Sequence, residues 1–502
     1  MSWQDIVGII VAIIAFAALI YLMIKKHDAR LVLLFIGFIM LLIAGFIGRL
    51  SPVNWYDQGS NNFKPDYGTG VGEINAFYVI ALEFKNYFVS AGLIIMALFG
   101  YTKFMSEIGA NGVIVNLLTK PLLKIKHKYL LLFMIFILGN ILSIVVPSAS
   151  SLAVILMTLL FPILKKAKIS TLSSVAIIAT TATIFPTPLG SDSAFVSTRM
   201  NWDLIGYTYA RLAIVAIPSL ILMGIAHLFW QKFMDKKFDQ KNNKLGLVVE
   251  QEVTFETKTE QQNLPPSWYS ILPILPIFVL LIPFIVNLVD PNIGFKFGIV
   301  ETIILCTIVT IVIQMIRQRQ VKPVLNEFTG FFKGMGDGFA SVVVLSTAAS
   351  IFSKGLISLG VIKLLTDSVN NISGAAYGYL FIFALIILLI GSLSGSGTST
   401  VFAFVPIVAS ISETGGLTGS EQLMVVIPIQ ELANLSRSFS PIAAVIIICA
   451  QQAKVEASAI LKRIALPAGV AVVSVIILSI VFYGLIGLQP IGPGIGAPTM
   501  PS

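Results

Sequence analysis

The sequence predicts an all-α polytopic membrane protein made of two inverted-topology repeats, each of about five spans plus one re-entrant hairpin. Three observations predict it. Of 502 residues, 56% are apolar and only 11% charged, with a mean hydropathy of +0.92. A soluble domain carries roughly 25% charged residues, so this chain cannot cover a water-facing surface. Its apolar runs are near-continuous and long enough to cross hydrocarbon, which requires helices; a barrel would need apolar and polar residues in alternation. Finally, short motifs of the first half return in the second at a slowly drifting offset.

The spans follow in order. The first, about 5–24, is preceded by no Lys or Arg and by no small-residue cleavage site, and reads as a retained helix. Lys25, Lys26 and Arg30 after it mark a cytoplasmic turn, which puts the N-terminus outside. A second span, about 31–48, leads to an external loop at about 49–84 with Trp55, Asp57, Asp66 and Glu73. The third, about 86–106, returns to a basic cluster of Lys120, Lys124, Lys126 and Lys128. The stretch at about 129–164 is interrupted at Pro147 to Ser151 and is flanked by Lys on both sides. At 1.5 Å per residue its arms are about 20–27 Å, short for tilted full spans, so it reads as a hairpin and not as two spans.

Next comes about 171–203, broken at Pro186 to Gly190, and then 206–229. The hydrophilic loop 231–266 divides the chain and reads as a cytoplasmic linker. The second half runs through 268–288, 297–316 and 338–359, a second hairpin at about 376–411 interrupted at Ser392 to Gly397, and 422–452 broken at Ser436 to Pro441. A last span, 465–487, leaves the C-terminal Pro/Gly tail outside. Both termini are thus expected on the periplasmic side.

Ser148 and Pro162 match Ser392 and Pro406 at an offset of 244, Leu117-Leu118-Thr119 matches Leu364-Leu365-Thr366 at 247, and Thr187-Pro188 matches Ser440-Pro441 at 253. The domains expected are 1–230 and 267–502, joined by 231–266. Each carries five spans, an odd number, so the second copy lies upside down in the bilayer. Many secondary transporters are organised this way.

Non-helical backbone at membrane depth is tolerated where protein shields it or where it lines a wet cavity. The four breaks are rich in Ser, Thr and Gly. Short helices ending there offer unpaired N–H groups and partial positive charge to an anion, while hydroxyls and carbonyls suit a small cation. Arg437 is the sharpest single residue, since an ionised group in a span costs at least a few kcal/mol and usually has a functional reason. Its planar donor pair suits a carboxylate, although a structural ion pair with Glu431, or a place near the interface, also accounts for it. Buried, Glu431 could carry a coupling proton, and Asp192 could hold a cation or proton; an exposed loop end is the plainer alternative for Asp192. Asn434, Thr187, Ser148, Ser150, Ser394, Ser396, Thr398 and Ser440 are the hydroxyl and amide candidates for substrate contacts.

Other classes lack support. His27, His127 and His227 fall near span ends without a shared motif, and neither a Gly-x-Ser-x-Gly elbow nor a Walker A sequence occurs. Cys306 and Cys449 sit in apolar runs, with no disulfide or zinc spacing. The net charge of +9 lies mostly in alternate loops, the record of membrane orientation, and gives no sign of nucleic acid. No metal or cofactor is expected beyond a coupling Na+ or H+.

At these motifs the sequence resembles the anaerobic four-carbon dicarboxylate carriers of the DcuC type. The resemblance is carried by Ile108 to Asn111 with Lys120-Pro121-Leu122, Leu160-Phe161-Pro162, Ala226-His227 with Phe229-Trp230-Gln231, and Asp235-Lys236-Lys237. It continues through Gly334-Met335, Asp337, Phe339-Ala340, Gly395-Ser396-Gly397 with Phe404, Ile427-Pro428, Asn434-Leu435, Arg437 and Ser440-Pro441. It implies an inner-membrane carrier that exports or exchanges succinate and takes up fumarate and related diacids, within a wider ion-transporter group with two opposed hairpins that is often dimeric. The family pattern falls on Arg437, Asn434, Ser396 and Asp192. Three positions depart from it: Glu431 stands for an uncharged Gln, Thr398 for Asn, and the break 187–192 reads Thr-Pro-Leu-Gly-Ser-Asp in place of a tighter Thr-Ser-Gly-Asp. A negative charge beside the site weakens dianion binding unless it is protonated. A monocarboxylate, short-chain fatty acid or amino acid carrier is therefore the first rival, and a passive channel the second.

Overall fold

The computed structural model describes residues 2–25, 27–50, 74–119, 121–122, 125, 127–144, 146, 149–181, 183–184, 186–245, 264–290, 293, 295, 297–364, 374–413, 415–417 and 419–491. Among these there is no strand, and nine helices are long and apolar enough to cross a membrane. The protein is a multi-pass helical membrane protein.

In the first half the helices are α1 (Trp3–Ile24), α2 (Ala29–Phe46), α3 (75–107), α4 (Ala110–Thr119), α5 (Lys128–Leu142), α6 (Ala149–Leu159), α7 (Phe161–Lys166), α8 (Thr171–Ala179), α9 (Ser191–Arg199) and α10 (204–245). The second half has α11 (267–289), α12 (Ile299–Gln318), α13 (Val321–Ser358), α14 (Ala375–Ser394), α15 (Gly397–Glu413), α16 (Ser420–Ser436), α17 (Ala444–Ala453) and α18 (Ala457–Leu485). Helices α3 and α13 each contain a π turn, Phe88–Gly92 and Phe339–Val343, and the two turns lie against each other with the Phe88 and Phe339 rings 6.1 Å apart.

Burial sorts the helices into an outer and an inner set. On α1 the residues Ile6, Ile10 and Ile13, and on α12 Ile304, Ile308 and Val312, are large, apolar and exposed. They recur every three to four residues, one stripe of a helix, and in a bilayer that stripe meets lipid. By contrast α15 is buried from Ser399 to Ile411 and α16 from Leu423 to Ser436. A helix enclosed on every side belongs to the core. Long packed pairs frame it: α3 along α13, α2 along the second half of α13, and α10 along α18. The two halves also interlock, since α9 packs on α15 and α17 on α6.

Several expected boundaries move. The loop expected at 49–84 gives way to helix at Asn75, and the span expected at 338–359 begins at Val321. Both added segments carry charge (Glu83 and Lys85; Lys322, Glu327, Lys333 and Asp337), which hides them from a hydropathy reading. The linker expected from residue 231 starts as helix, because α10 runs on to Leu245. Polar side chains hold this extension. Arg463 Nη1 donates to Asp235 Oδ1 at 2.6 Å, Ser170 and Ser173 donate to the same oxygen at 2.7 and 2.9 Å, and Gln231 Nε2 donates to the Arg463 carbonyl at 2.9 Å. Arg463 and Asp235 are both buried. Lys26, Lys120, Lys124, Lys126, Ser148, residues 51–73, residues 246–263 and the C-terminal tail from 492 lie outside the described residues.

Candidate functional site

One helical stretch is interrupted in each half. In the second half α16 ends at Ser436, a single 3-10 turn covers Arg437–Phe439, and α17 starts at Ala444. Pro441 forces the break: it has no N–H to donate and holds Ser440 extended, at φ −104° and ψ 119°. In the first half α8 ends at Ala179 and α9 starts at Ser191. Between them Thr187 turns the chain, its Oγ1 accepting from the Leu189 N–H at 3.2 Å and donating to the Ile144 carbonyl at 3.4 Å. That carbonyl belongs to the turn after α5, so the first interrupted helix touches the first expected hairpin.

The second expected hairpin touches the second interrupted helix in the same way. The chain turns between α14 and α15 at Gly395, whose φ of +71° is a left-handed conformation that favours glycine. A Cβ on Gly395 would stand 3.1 Å from Ser440 Oγ, and one on Gly397 would collide with the Ala433 carbonyl. The backbone of this tip therefore lies directly on α16 and the segment after it.

Asp192, in the first turn of α9, reaches across to α16. Its Oδ2 accepts from Asn434 Nδ2 at 2.7 Å and from Gln430 Nε2 at 3.3 Å. Gln430 Nε2 also donates to Ser193 Oγ at 3.1 Å, and its Oε1 accepts from the Tyr207 hydroxyl at 2.6 Å. Arg437 closes the cluster from the other end, donating through Nε to the Asn434 carbonyl and through Nη2 to Asn434 Oδ1, each at 3.2 Å. Asp192, Asn434 and Arg437, expected separately from sequence, thus form one hydrogen-bonded chain across the two halves.

Glu431 lies within electrostatic reach of Asp192 and Arg437. Among the described residues no ion pair joins it to Arg437, and its buried Oε2 has no hydrogen-bond partner. The amide that accompanies Asn434 is instead Gln430, which the sequence reading missed. The signal was present: positions 430 and 434 are one helical turn apart and share a face. Ser193 and Tyr207, also missed, come from other elements and become visible only through the side-chain hydrogen bonds that α9 and α10 extend to α16.

The hydroxyl candidates divide. Ser394 and Ser396, with Ser399, line an open cavity of about 360 Å³ that reaches the turn of Asp28 and Arg30 between α1 and α2. Ser396 Oγ and Ser399 Oγ are 2.6 Å apart. Ser440 is buried beside the same tip, and Thr398 stands half-buried in the first turn of α15. Thr187 and Ser150, in the first turn of α6, belong to the first-half side and do not line this cavity. Among the described residues no group of three His, Cys, Asp or Glu side chains could hold a metal ion.

A charged and amide-rich cluster enclosed by apolar helices, at the meeting of two interrupted ones, is the build of a polytopic membrane carrier. The sequence matches the family of C4-dicarboxylate anaerobic carriers, DcuC, over residues 5–484, and the chain belongs to that family. It is 27% identical to the anaerobic C4-dicarboxylate transporter DcuC of Escherichia coli strain K12 over 472 residues, covering 94% of this chain and 96% of that one. It is 27% identical to the probable anaerobic C4-dicarboxylate transporter DcuC of Vibrio cholerae over 476 residues, 93% and 96% of the two chains. In fold it is similar to MtrF of Neisseria gonorrhoeae, which represents a class of antimetabolite efflux pumps, with a TM-score of 0.52, 12% identity, and coverage of 93% of this chain and 97% of MtrF.

Proposed function

We propose that the protein is a secondary carrier that moves four-carbon dicarboxylates across the bacterial inner membrane, exporting or exchanging succinate and taking up fumarate or malate. Family membership supports the substrate class, and the observation that carries the site is the Asp192–Asn434–Arg437 chain at the two helix breaks. The Arg437 guanidinium supplies the planar donor pair that a carboxylate accepts. Asn434, Ser440 and the tip hydroxyls of Ser394, Ser396 and Thr398 complete the substrate contacts, with Thr187, Ser148 and Ser150 serving from the first-half side. Asp192 and Glu431 are the carboxyl groups placed to take a coupling Na+ or H+.

Residues 1–230 and 267–502 act in this reading as two inverted repeats that alternate the site between the two faces of the membrane, with both termini periplasmic and the protein as a homodimer. The basic turn after α1 supports that orientation. In proteoliposomes loaded with unlabelled succinate, labelled succinate should accumulate transiently, and fumarate and malate should compete. A substrate panel in which monocarboxylates or amino acids compete and succinate does not would overturn the dicarboxylate reading. Uptake unaffected by internal substrate would instead indicate a pore.

A further inference from the structure

Helix α9 starts beside the cluster with Asp192 in its first turn and ends on Arg199. A basic residue in the last turn of a helix is ordinary, because the exposed carbonyls there carry partial negative charge. That does not account for this one. Its Nε and Nη2 are both sealed from solvent, and neither has a hydrogen-bond acceptor among the described residues. No carboxylate among them pairs with it either. One turn back on α9, the Phe195 ring lies 5.8 Å from the ring of Tyr87 on α3. The acidic residue of that stretch of α3, Glu83, is engaged by Lys354 at 4.0 Å. A guanidinium stays charged at any working pH, and buried N–H donors without acceptors weaken the fold that holds them.

The two orphaned nitrogens share one edge of the guanidinium, and their N–H bonds point the same way. A carboxylate sets its two oxygens against such an edge in parallel hydrogen bonds. Asp192 and Arg199 are seven residues apart on α9, so they share a face and lie about 10 Å from each other along the axis.

We propose that Arg199 is a second carboxylate-binding residue, whose Nε–Nη2 edge takes a carboxylate of the substrate about two helical turns from the Asp192–Asn434–Arg437 cluster. The proposal rests on the reading of the chain as a dicarboxylate carrier. That edge, without an acceptor among the described residues, accounts for an arginine at this place: the acceptor arrives with the substrate.

The test uses the purified full-length protein and its Arg199→Met and Arg199→Lys variants, with thermal unfolding followed with and without succinate. Arg199→Met removes the unpaired donors and keeps the length of the chain, so without succinate it should melt above the wild type. Both variants should bind succinate at least tenfold more weakly, because Lys cannot offer two parallel donors. Arg199→Met melting below the wild type without succinate, or either variant keeping the wild-type Kd, would overturn the assignment and leave the carrier reading standing. A wild-type protein that gains no stability from succinate, fumarate or malate would overturn the dicarboxylate reading and the assignment together.

Discussion

Asp192 and Arg437, on interrupted helices of opposite halves, are joined through one side chain: Asn434 gives its Nδ2 to the carboxylate at 2.7 Å and accepts from Arg437 Nη2 at 3.2 Å. An amide between a carboxylate and a guanidinium is polarised by both, and each bond is stronger for the other. It also keeps the opposite charges from closing on each other. Asn434→Ala should therefore lower the succinate affinity by about tenfold or more, from about 1.5–3 kcal/mol per hydrogen bond to a charged group. Counterflow in proteoliposomes measures it, and an unchanged KM would remove Asn434 from the site.

Arg437→Lys keeps the charge and loses the planar donor pair. The expected result is a rise in KM for succinate of about ten- to a hundredfold, corresponding to about 1.4–2.8 kcal/mol. Monocarboxylate transport, where present, should suffer in the same proportion. Wild-type KM in this variant would assign Arg437 a purely structural role.

Tyr207 holds Gln430 from behind, its hydroxyl donating to Oε1 at 2.6 Å in a fully buried setting. Tyr207→Phe should cost about 1 kcal/mol of stability, since a single buried hydrogen bond is lost, and raise KM only a few-fold because Asp192 keeps its shorter bond from Asn434. Thermal unfolding and uptake kinetics on the same preparation separate the two effects.

The Arg463–Asp235 pair ties α18 to the polar extension of α10. Asp235→Leu leaves a buried guanidinium unpaired, a loss of about 3–5 kcal/mol, whereas the double change Asp235→Leu with Arg463→Met should recover much of it. A double variant no more stable than the single one would show that the serines and Gln231, not the ion pair, hold this junction.

Gly397 lets the tip of the second turn rest on the Ala433 carbonyl. Gly397→Ala should push α15 off α16 and reduce transport at least tenfold with little change in protein yield. Full activity in this variant would mean that the contact is not needed for the cycle.

The spans were legible because hydropathy is a one-dimensional signal: α1, α2, α11 and α12 begin and end close to where their apolar runs do, whereas α18 starts eight residues before its expected span, across Lys462 and Arg463. The early parts of α3 and α13 were not, since charged residues interrupt their apolar pattern: Glu83 pairs with Lys354 and Lys333 is exposed. Asp192, Asn434 and Arg437 stood out as polar groups in apolar surroundings. Their grouping did not, because it depends on α9 crossing to α16, and no spacing along the chain encodes that crossing. Gln430 was passed over for its neighbour Glu431, where formal charge drew attention away from the shared face of positions 430 and 434.

The facing π turns of α3 and α13 each hold an extra residue within a helical turn. In a loop, trimming one residue is usually harmless. Here a one-residue deletion would rotate everything downstream by about 100°, swinging residues 93–107 away from their partner helix. These two stretches of the gene should therefore tolerate substitution far better than any change of length, and a length change in one would have to be answered in the other.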